Sequence, residues 1–230
     1  MEYLEFFLYG LIQGFTEFIP VSSTAHLKVL SHFLGINDPG SSLSAIIQLG
    51  SVLALILYFK NDFLNLKSNS SKGIFDNFLH QRICKTILIG TTPIVLLGLS
   101  IKIFIPDFFY NFFRSNLSIA LVSFLMAIFM YVADTSKKGS INLQNHNYSD
   151  SFLIGLSQAF AIIPGVSRSG VTISTALLSG WERSNAAKFS FLLGIPAISL
   201  AAIVEFIFNF NEYFIIRGNT ESKLNIGLLV

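Results

Sequence analysis

Charge is scarce in this chain. Only 12% of its 230 residues are Asp, Glu, Lys or Arg, about half the quarter usual in soluble domains. The formal net charge of +2 is too small to hold a nucleic acid, and no basic stripe runs along the sequence. Cys84 is the single cysteine, which excludes a disulfide within the chain and a Cys-based metal site. Its expected role is that of a small apolar core residue. A cleavable signal peptide is not legible either: Glu2 and Glu5 stand where basic residues would be needed, and Gln13 and Glu17 break the apolar run. The first segment is therefore expected to stay in the mature protein. What the chain has in quantity is hydrophobic residues, 52% of it, with 24 Phe and a mean hydropathy of +0.64. Those values describe a membrane protein.

Four runs predict spanning helices, at about 44–59, 86–105, 116–133 and 189–208, each close to the ~20 residues that cross a hydrocarbon core. The connection at 60–85 carries Lys60, Lys67, Lys72, Arg82 and Lys85, and that at 134–150 carries Lys137 and Lys138. The 106–115 connection has Arg114 alone. Two spans separate the basic connections, so both face one side, and the positive-inside rule makes that side the cytoplasm.

Residues 6–34 and 152–180 are apolar, but Pro, Gly and Ser clusters interrupt their middles and leave halves too short to cross. Broken helices persist at membrane depth only where protein or water satisfies the freed backbone. Both stretches are thus predicted to be re-entrant helix–loop–helix elements. They also resemble each other. Gly10, Leu11, Gln13 and Phe15 recur 145 residues on as Gly155, Leu156, Gln158 and Phe160. After a one-residue slip, Ile19, Pro20 and Ser23 recur as Ile163, Pro164 and Ser167, and "LGSVLALI" at 49–56 aligns with "LGIPAISL" at 193–200. Ordered matches of this kind mark an internal duplication.

Each unit holds a re-entrant pair and three spans, an odd number of crossings, which inverts the second copy and brings the two broken loops together near the bilayer midplane. The predicted fold class is an all-α polytopic membrane protein with inverted repeats, one integral domain over 1–230. The first repeat covers about 1–135, a linker about 135–150, and an incomplete, C-terminally shortened second repeat about 151–230. The partners of the spans at 86–105 and 116–133 would lie past Val230, and the terminal "NIGLLV" reads as the start of a further span.

The chemistry sits in the two interruptions. In "QGFTEFIPVSSTAH", Gln13 and Glu17 are i,i+4 and share a helix face. Pro20 stops that helix, and Ser22 or Ser23 can cap the next. A carboxylate and an imidazole, Glu17 and His26, are costly at membrane depth and default to function. In "PGVSRSGVTIS", Pro164 and Gly165 make a turn and a helix opens near Val171. A helix N-terminus aims N–H groups and positive dipole at an anion, and Arg168 adds a fork that suits phosphate. Ser167, Ser169 and Thr172 add hydroxyls. No Walker pattern accompanies them. An acid, an imidazole and hydroxyls facing an anion clamp inside a membrane point to a lipid phosphate.

These two stretches resemble the paired signature motifs of the undecaprenyl-diphosphatase family of bacitracin-resistance proteins (UppP/BacA). The first is similar to its (E/Q)xxxE motif and the Ser-Ser-Thr-x-His that follows, the second to its PGxSRSxxT motif, and the resemblance runs from about residue 4 to the C-terminus. It implies a multi-pass protein of the bacterial plasma (inner) membrane with inverted repeats. The implied activity is removal of one phosphate from undecaprenyl diphosphate, which recycles the lipid carrier of peptidoglycan synthesis and confers bacitracin resistance. A polyprenyl diphosphate lipid is the implied partner, magnesium the implied divalent cation, a homodimer a common state of the family, and the periplasmic side the implied orientation of the site.

Residue by residue, the resemblance makes Glu17 the second acid of the first motif and Gln13 its permitted first position. It makes Ser23 and His26 catalytic, Arg168 the phosphate-binding arginine, and Thr24, Gly165, Ser167, Ser169 and Thr172 parts of the diphosphate site. Ser23 is the candidate nucleophile, with Glu17 or His26 as base. A water activated by the same base is the rival. Glu17 is also the candidate metal ligand. Family members extend further at the C-terminus, by two helices.

Two other readings stand beside the phosphatase. Inverted repeats with broken helices are also transporter architecture, so a lipid-phosphate transporter or flippase is one. An inactive truncated remnant is the other, favoured by length alone. A carrier needs Arg168 but has no use for the nucleophile and base. Elsewhere, His32 is expected to be structural, His80 and His146 to be solvated in loops, and the Phe-rich run at 104–113 to mark a membrane interface and short turn.

Overall fold

The apolar runs fold as helices throughout. The computed structural model describes residues 2–36, 40–61, 74–105, 109, 112–136 and 139–208. Among them the elements are α1 (Glu2–Phe18), α2 (Ser23–Leu34), α3 (Gly40–Tyr58), α4 (Ile74–Phe104), α5 (Asn116–Asp134), α6 (Tyr148–Ala159), a 3₁₀ turn (Phe160–Ile162), α7 (Arg168–Leu178) and α8 (Arg183–Phe208). Three segments are long and apolar enough to cross a membrane: Arg82–Phe104, Asn116–Asp134 and Arg183–Phe208. The predicted span at 44–59 lies within α3, whose apolar part is the shorter Leu43–Tyr58. Lys67, Lys72, Lys137, Lys138, the side chain of His80 and the terminal "NIGLLV" lie outside the described residues.

The helices pack by close backbone approach where glycine permits it. A Cβ on Gly155 of α6 would lie 2.1 Å from the Gly90 carbonyl oxygen of α4, so these helices touch backbone to backbone. One on Gly90 would lie 2.8 Å from Leu193 Cδ1 of α8, which brings three helices to one level. Small residues serve this purpose where lipid offers helices no hydrophobic drive to associate. The apolar core next to this contact joins Leu143, Ile154, Ala176, Trp181, Ala186, Phe189 and Leu193. Large apolar side chains such as Leu88, Phe104, Leu117, Phe124 and Phe208 stay exposed, as suits helices that face lipid.

Three expectations are corrected. The connection at 60–85 is not all loop: α4 begins at Ile74, because its polar first turns continue the helix ahead of the apolar span. Cys84 is exposed on α4 and not part of the core. His146 is wholly buried. The segment around it folds back on α7 and α8, with Ile141 N–H donating to Gly180 O at 3.0 Å and Glu182 N–H to Ile141 O at 2.9 Å. That places the imidazole against the rings of Trp181 and Phe189, 5.0 and 5.7 Å away.

His146 Nδ1–H donates to Leu143 O at 3.1 Å, while Nε2 meets no hydrogen-bond partner among the described residues. Burial first, and then the Arg82 guanidinium, lower its pKa below the usual 6.5. The folded protein therefore binds this proton less readily than the unfolded chain. Stability is full above the unfolded value near 6.5 and falls as pH drops below it. The thermal midpoint of the detergent-solubilised protein is expected to fall between about pH 7 and about pH 5.5, and His146→Phe to flatten that decline.

Candidate active site

The two interrupted stretches meet. Pro20 stands just past the end of α1, and Ser22 caps α2, its Oγ accepting from Ala25 N–H at 3.3 Å. Ser167 caps α7 in the same way, accepting from Gly170 N–H at 3.1 Å. With Ser22 and Ser167 committed as caps, Ser23 and Arg168 are the first residues of their helices. Gly165 turns the chain into α7 at φ 102°, a conformation other residues avoid, and a Cβ there would lie 2.9 Å from Ile119 O. Ser169 Oγ donates to Ile19 O at 3.3 Å and joins the two breaks directly.

A buried ion pair spans the junction. Arg168 Nη2 lies 2.9 Å from Glu17 Oε1 and Arg168 Nε 3.3 Å from the same oxygen. Gln13 Nε2–H donates to Glu17 Oε2 at 2.7 Å, as the i,i+4 spacing predicts. The guanidinium also reaches Ser190 O at 3.4 Å through Nη1. Behind it, Thr172 Oγ1 bonds Ser190 Oγ at 2.6 Å and the Arg168 carbonyl at 2.8 Å, fixing α7 against α8.

Gly194 makes room for this arginine. A Cβ there would lie 1.8 Å from Arg168 Nη1. Gly194→Ala would leave α8 intact and slightly favour it, by about 1 kcal/mol of helix propensity. The guanidinium would have to move off Glu17, and a misplacement of about 1 Å in a positioning group costs about 100-fold. Expected is a loss of that order in kcat/KM together with a lowered thermal midpoint, because leaving the buried Glu17 unpaired outweighs the gain in helix propensity.

Glu17, Ser23, Thr24, Ser167, Arg168 and Ser169 all line one cavity of about 290 Å³. Its remaining wall is largely apolar, including Ile94, Leu99, Ile162, Ile198 and Val204. Gln13 and Thr172 stand behind the lining, where they hold Glu17 and Arg168. His26 is exposed and not among the lining residues; its Nδ1–H donates to Ser22 O at 2.7 Å. A carbonyl only accepts, so Nδ1 carries the proton and Nε2 is the basic nitrogen. His26 is i+3 from Ser23 and so shares its helix face.

As site residues, Lys102, Arg114, Glu205, Ser190 and Gly194 escaped the sequence reading. Charged residues within apolar helices are a readable signal, and it would have found Lys102 and Glu205.

No group of three or more His, Cys, Asp or Glu gathers among the described residues, so the protein offers no closed metal cage there. Magnesium commonly takes one or two carboxylates and completes its shell with water and substrate phosphate. Glu17 on the cavity wall fits that arrangement as a single carboxylate.

The sequence profile described as "Bacitracin resistance protein BacA" matches residues 6–230. An undecaprenyl-diphosphatase of Prochlorococcus marinus (strain AS9601) is 75% identical over 214 residues, 93% of this chain and 78% of that protein. One from strain MIT 9312 is 76% identical over 212 residues, 92% of this chain and 79% of its own. A more distant one, from strain MIT 9303, is 48% identical over 203 residues, 85% of this chain and 68% of its own. With a family match over nearly the whole chain and relatives this similar, the chain belongs to the BacA family of bacitracin resistance proteins.

Proposed function

We propose that this chain is a membrane undecaprenyl-diphosphate phosphatase that releases inorganic phosphate and returns undecaprenyl phosphate to cell-wall synthesis. The observation that carries the reading is the buried Glu17–Arg168 pair beside Ser23 on the wall of a largely apolar cavity. Such a cavity suits a headgroup with charge and a body without it.

The chemistry follows from exchange of partners. The terminal phosphate takes the Arg168 fork and the N–H groups opening α7, and Glu17 gives up its arginine. Freed, Glu17 accepts the proton of Ser23, with His26 on the same face of α2 as the second base. Ser23 Oγ bonds to the terminal phosphorus as the bond to the bridging oxygen breaks, and undecaprenyl phosphate leaves. Water then attacks the phosphoserine, the Oγ–P bond breaks, and Ser23 regains its proton. Arg168 stabilises the charge on the equatorial oxygens throughout. Thr24, Ser167 and Ser169 donate to the phosphates from the cavity wall, and Gln13 holds Glu17 in place. Glu17 would hold magnesium, which would supply positive charge against the phosphates.

The membrane arrangement of this reading is a pair of inverted repeats with re-entrant breaks, in the bacterial inner membrane. The two N-caps support it: Ser22 and Ser167 cap α2 and α7 alike, 145 residues apart. α3 and α8, which the repeat makes mates, also pack on each other.

The test is phosphate release by the purified chain in detergent with magnesium. Release from undecaprenyl diphosphate, and none from undecaprenyl phosphate, is expected. A folded chain that releases none from the diphosphate would overturn the reading.

A further inference from the structure

A second ion pair lines the same cavity. Lys102 Nζ of α4 lies 2.5 Å from Glu205 Oε2 of α8, and both side chains are mostly buried. Both line the cavity, as does Arg114. The pair stands well away from Arg168, which lies against Gly194; along α8 Glu205 is about 16 Å further on.

The two helices are built to part and rejoin around it. α4 and α8 are tightly packed where Gly90 meets Leu193. Each then has a proline within its interior, Pro93 and Pro196. A helix-interior proline has no N–H for the carbonyl four residues back, here Ile89 and Leu192, and kinks the helix. Beyond the prolines, Ile94, Val95, Gly98 and Leu99 face the cavity from α4, and Ala197, Ile198, Ala201 and Val204 from α8. Lys102 and Glu205 reconnect the helices past this gap.

We propose that Lys102 and Glu205 form an anion-opened latch on the cavity, through which the diphosphate headgroup passes on its way to Arg168. The headgroup displaces the Glu205 carboxylate from Lys102, α4 and α8 separate beyond their prolines, and the pair closes again behind it. An uncharged headgroup offers Lys102 nothing in exchange and leaves the latch shut. The inference rests on the phosphatase reading of the Arg168 site and adds to it a residue pair that selects for anionic headgroups on admission.

The test uses Glu205→Gln, Lys102→Gln and the double variant Lys102→Met/Glu205→Met in the full chain. Two readouts are taken: steady-state phosphate release from undecaprenyl diphosphate, and the association rate of a methylene-bridged, non-hydrolysable prenyl diphosphonate. Glu205→Gln removes the competing carboxylate, so KM should fall and the analogue should associate faster, each severalfold. Lys102→Gln removes the cation and should raise KM and slow the analogue's association by about tenfold, the loss of one charge-assisted hydrogen bond during entry. These changes fall on KM rather than on kcat.

The double variant removes both charges together, which buried pairs tolerate well. It should keep the parental thermal midpoint yet show the raised KM. A strut with no role in admission would weaken both single variants alike and recover in the double. Shifts of KM in the same direction, or a parental KM in the double variant, overturn the latch while the parent still turns over. A parent that neither turns over nor binds the analogue overturns the phosphatase reading, and the latch with it.

Discussion

Arg168→Ala should lower phosphate release from undecaprenyl diphosphate by about 1,000-fold or more, the scale set by removing a preorganised charge from a transition state. The guanidinium is held from three sides, by Glu17, by Ser190 O and by the space at Gly194. It meets the phosphate by exchanging Glu17 for it, while Ser190 O keeps the guanidinium in place. Arg168→Lys should rescue little, because an ammonium restores the charge but not the planar fork. Removing Arg168 also strands the buried Glu17, and breaking such a pair costs about 3–5 kcal/mol. The double variant Glu17→Gln/Arg168→Ala separates the two effects. Its thermal midpoint should recover while phosphate release stays lost. Recovery of both would mean that Arg168 serves the fold and not the phosphate.

Ser23→Ala should cost a similar factor, about 1,000-fold, if Ser23 forms the phosphoenzyme. The structure sharpens this test by separating two adjacent serines. Ser22 Oγ is committed to the N–H of Ala25, whereas Ser23 stands on the cavity wall. Ser22→Ala should thus loosen the start of α2 by about 1 kcal/mol and leave release far less affected than Ser23→Ala. Quenching the parent during turnover should trap phosphate on Ser23. Release that survives Ser23→Ala would assign the attack to water, with Glu17 or His26 as its base.

Much of this was legible because the signals are local. The apolar runs at 86–105, 116–133 and 189–208 fall inside helices that the structure shows. Pro20 and the Pro164–Gly165 turn mark breaks between helices, where a residue that cannot donate costs least. Gln13 and Glu17 bond to each other because four residues make one helical turn. Glu17 and Arg168 lie in the two breaks that the repeat was expected to bring together, and they pair across 151 residues.

What the sequence hid depends on contacts between distant segments. His146 sits in a polar neighbourhood along the chain but among Trp181 and Phe189 in space. Gly194 looked like any small residue in an apolar run, and only the approach of Arg168 gives it a reason. Cys84 is apolar enough for a core, but its position on α4 leaves it exposed among the described residues.

That same cysteine gives the protein a ready-made ruler. The sole thiol of the chain is exposed on α4, in its span but ahead of Pro93. A spin or fluorescent label would attach there without any native cysteine having to be removed. From that fixed point to Lys102 is about 27 Å along the helix. A second label on the last turn of α8 would turn the separation of two helix ends into a measured distance distribution, with and without a lipid diphosphate, in a bilayer.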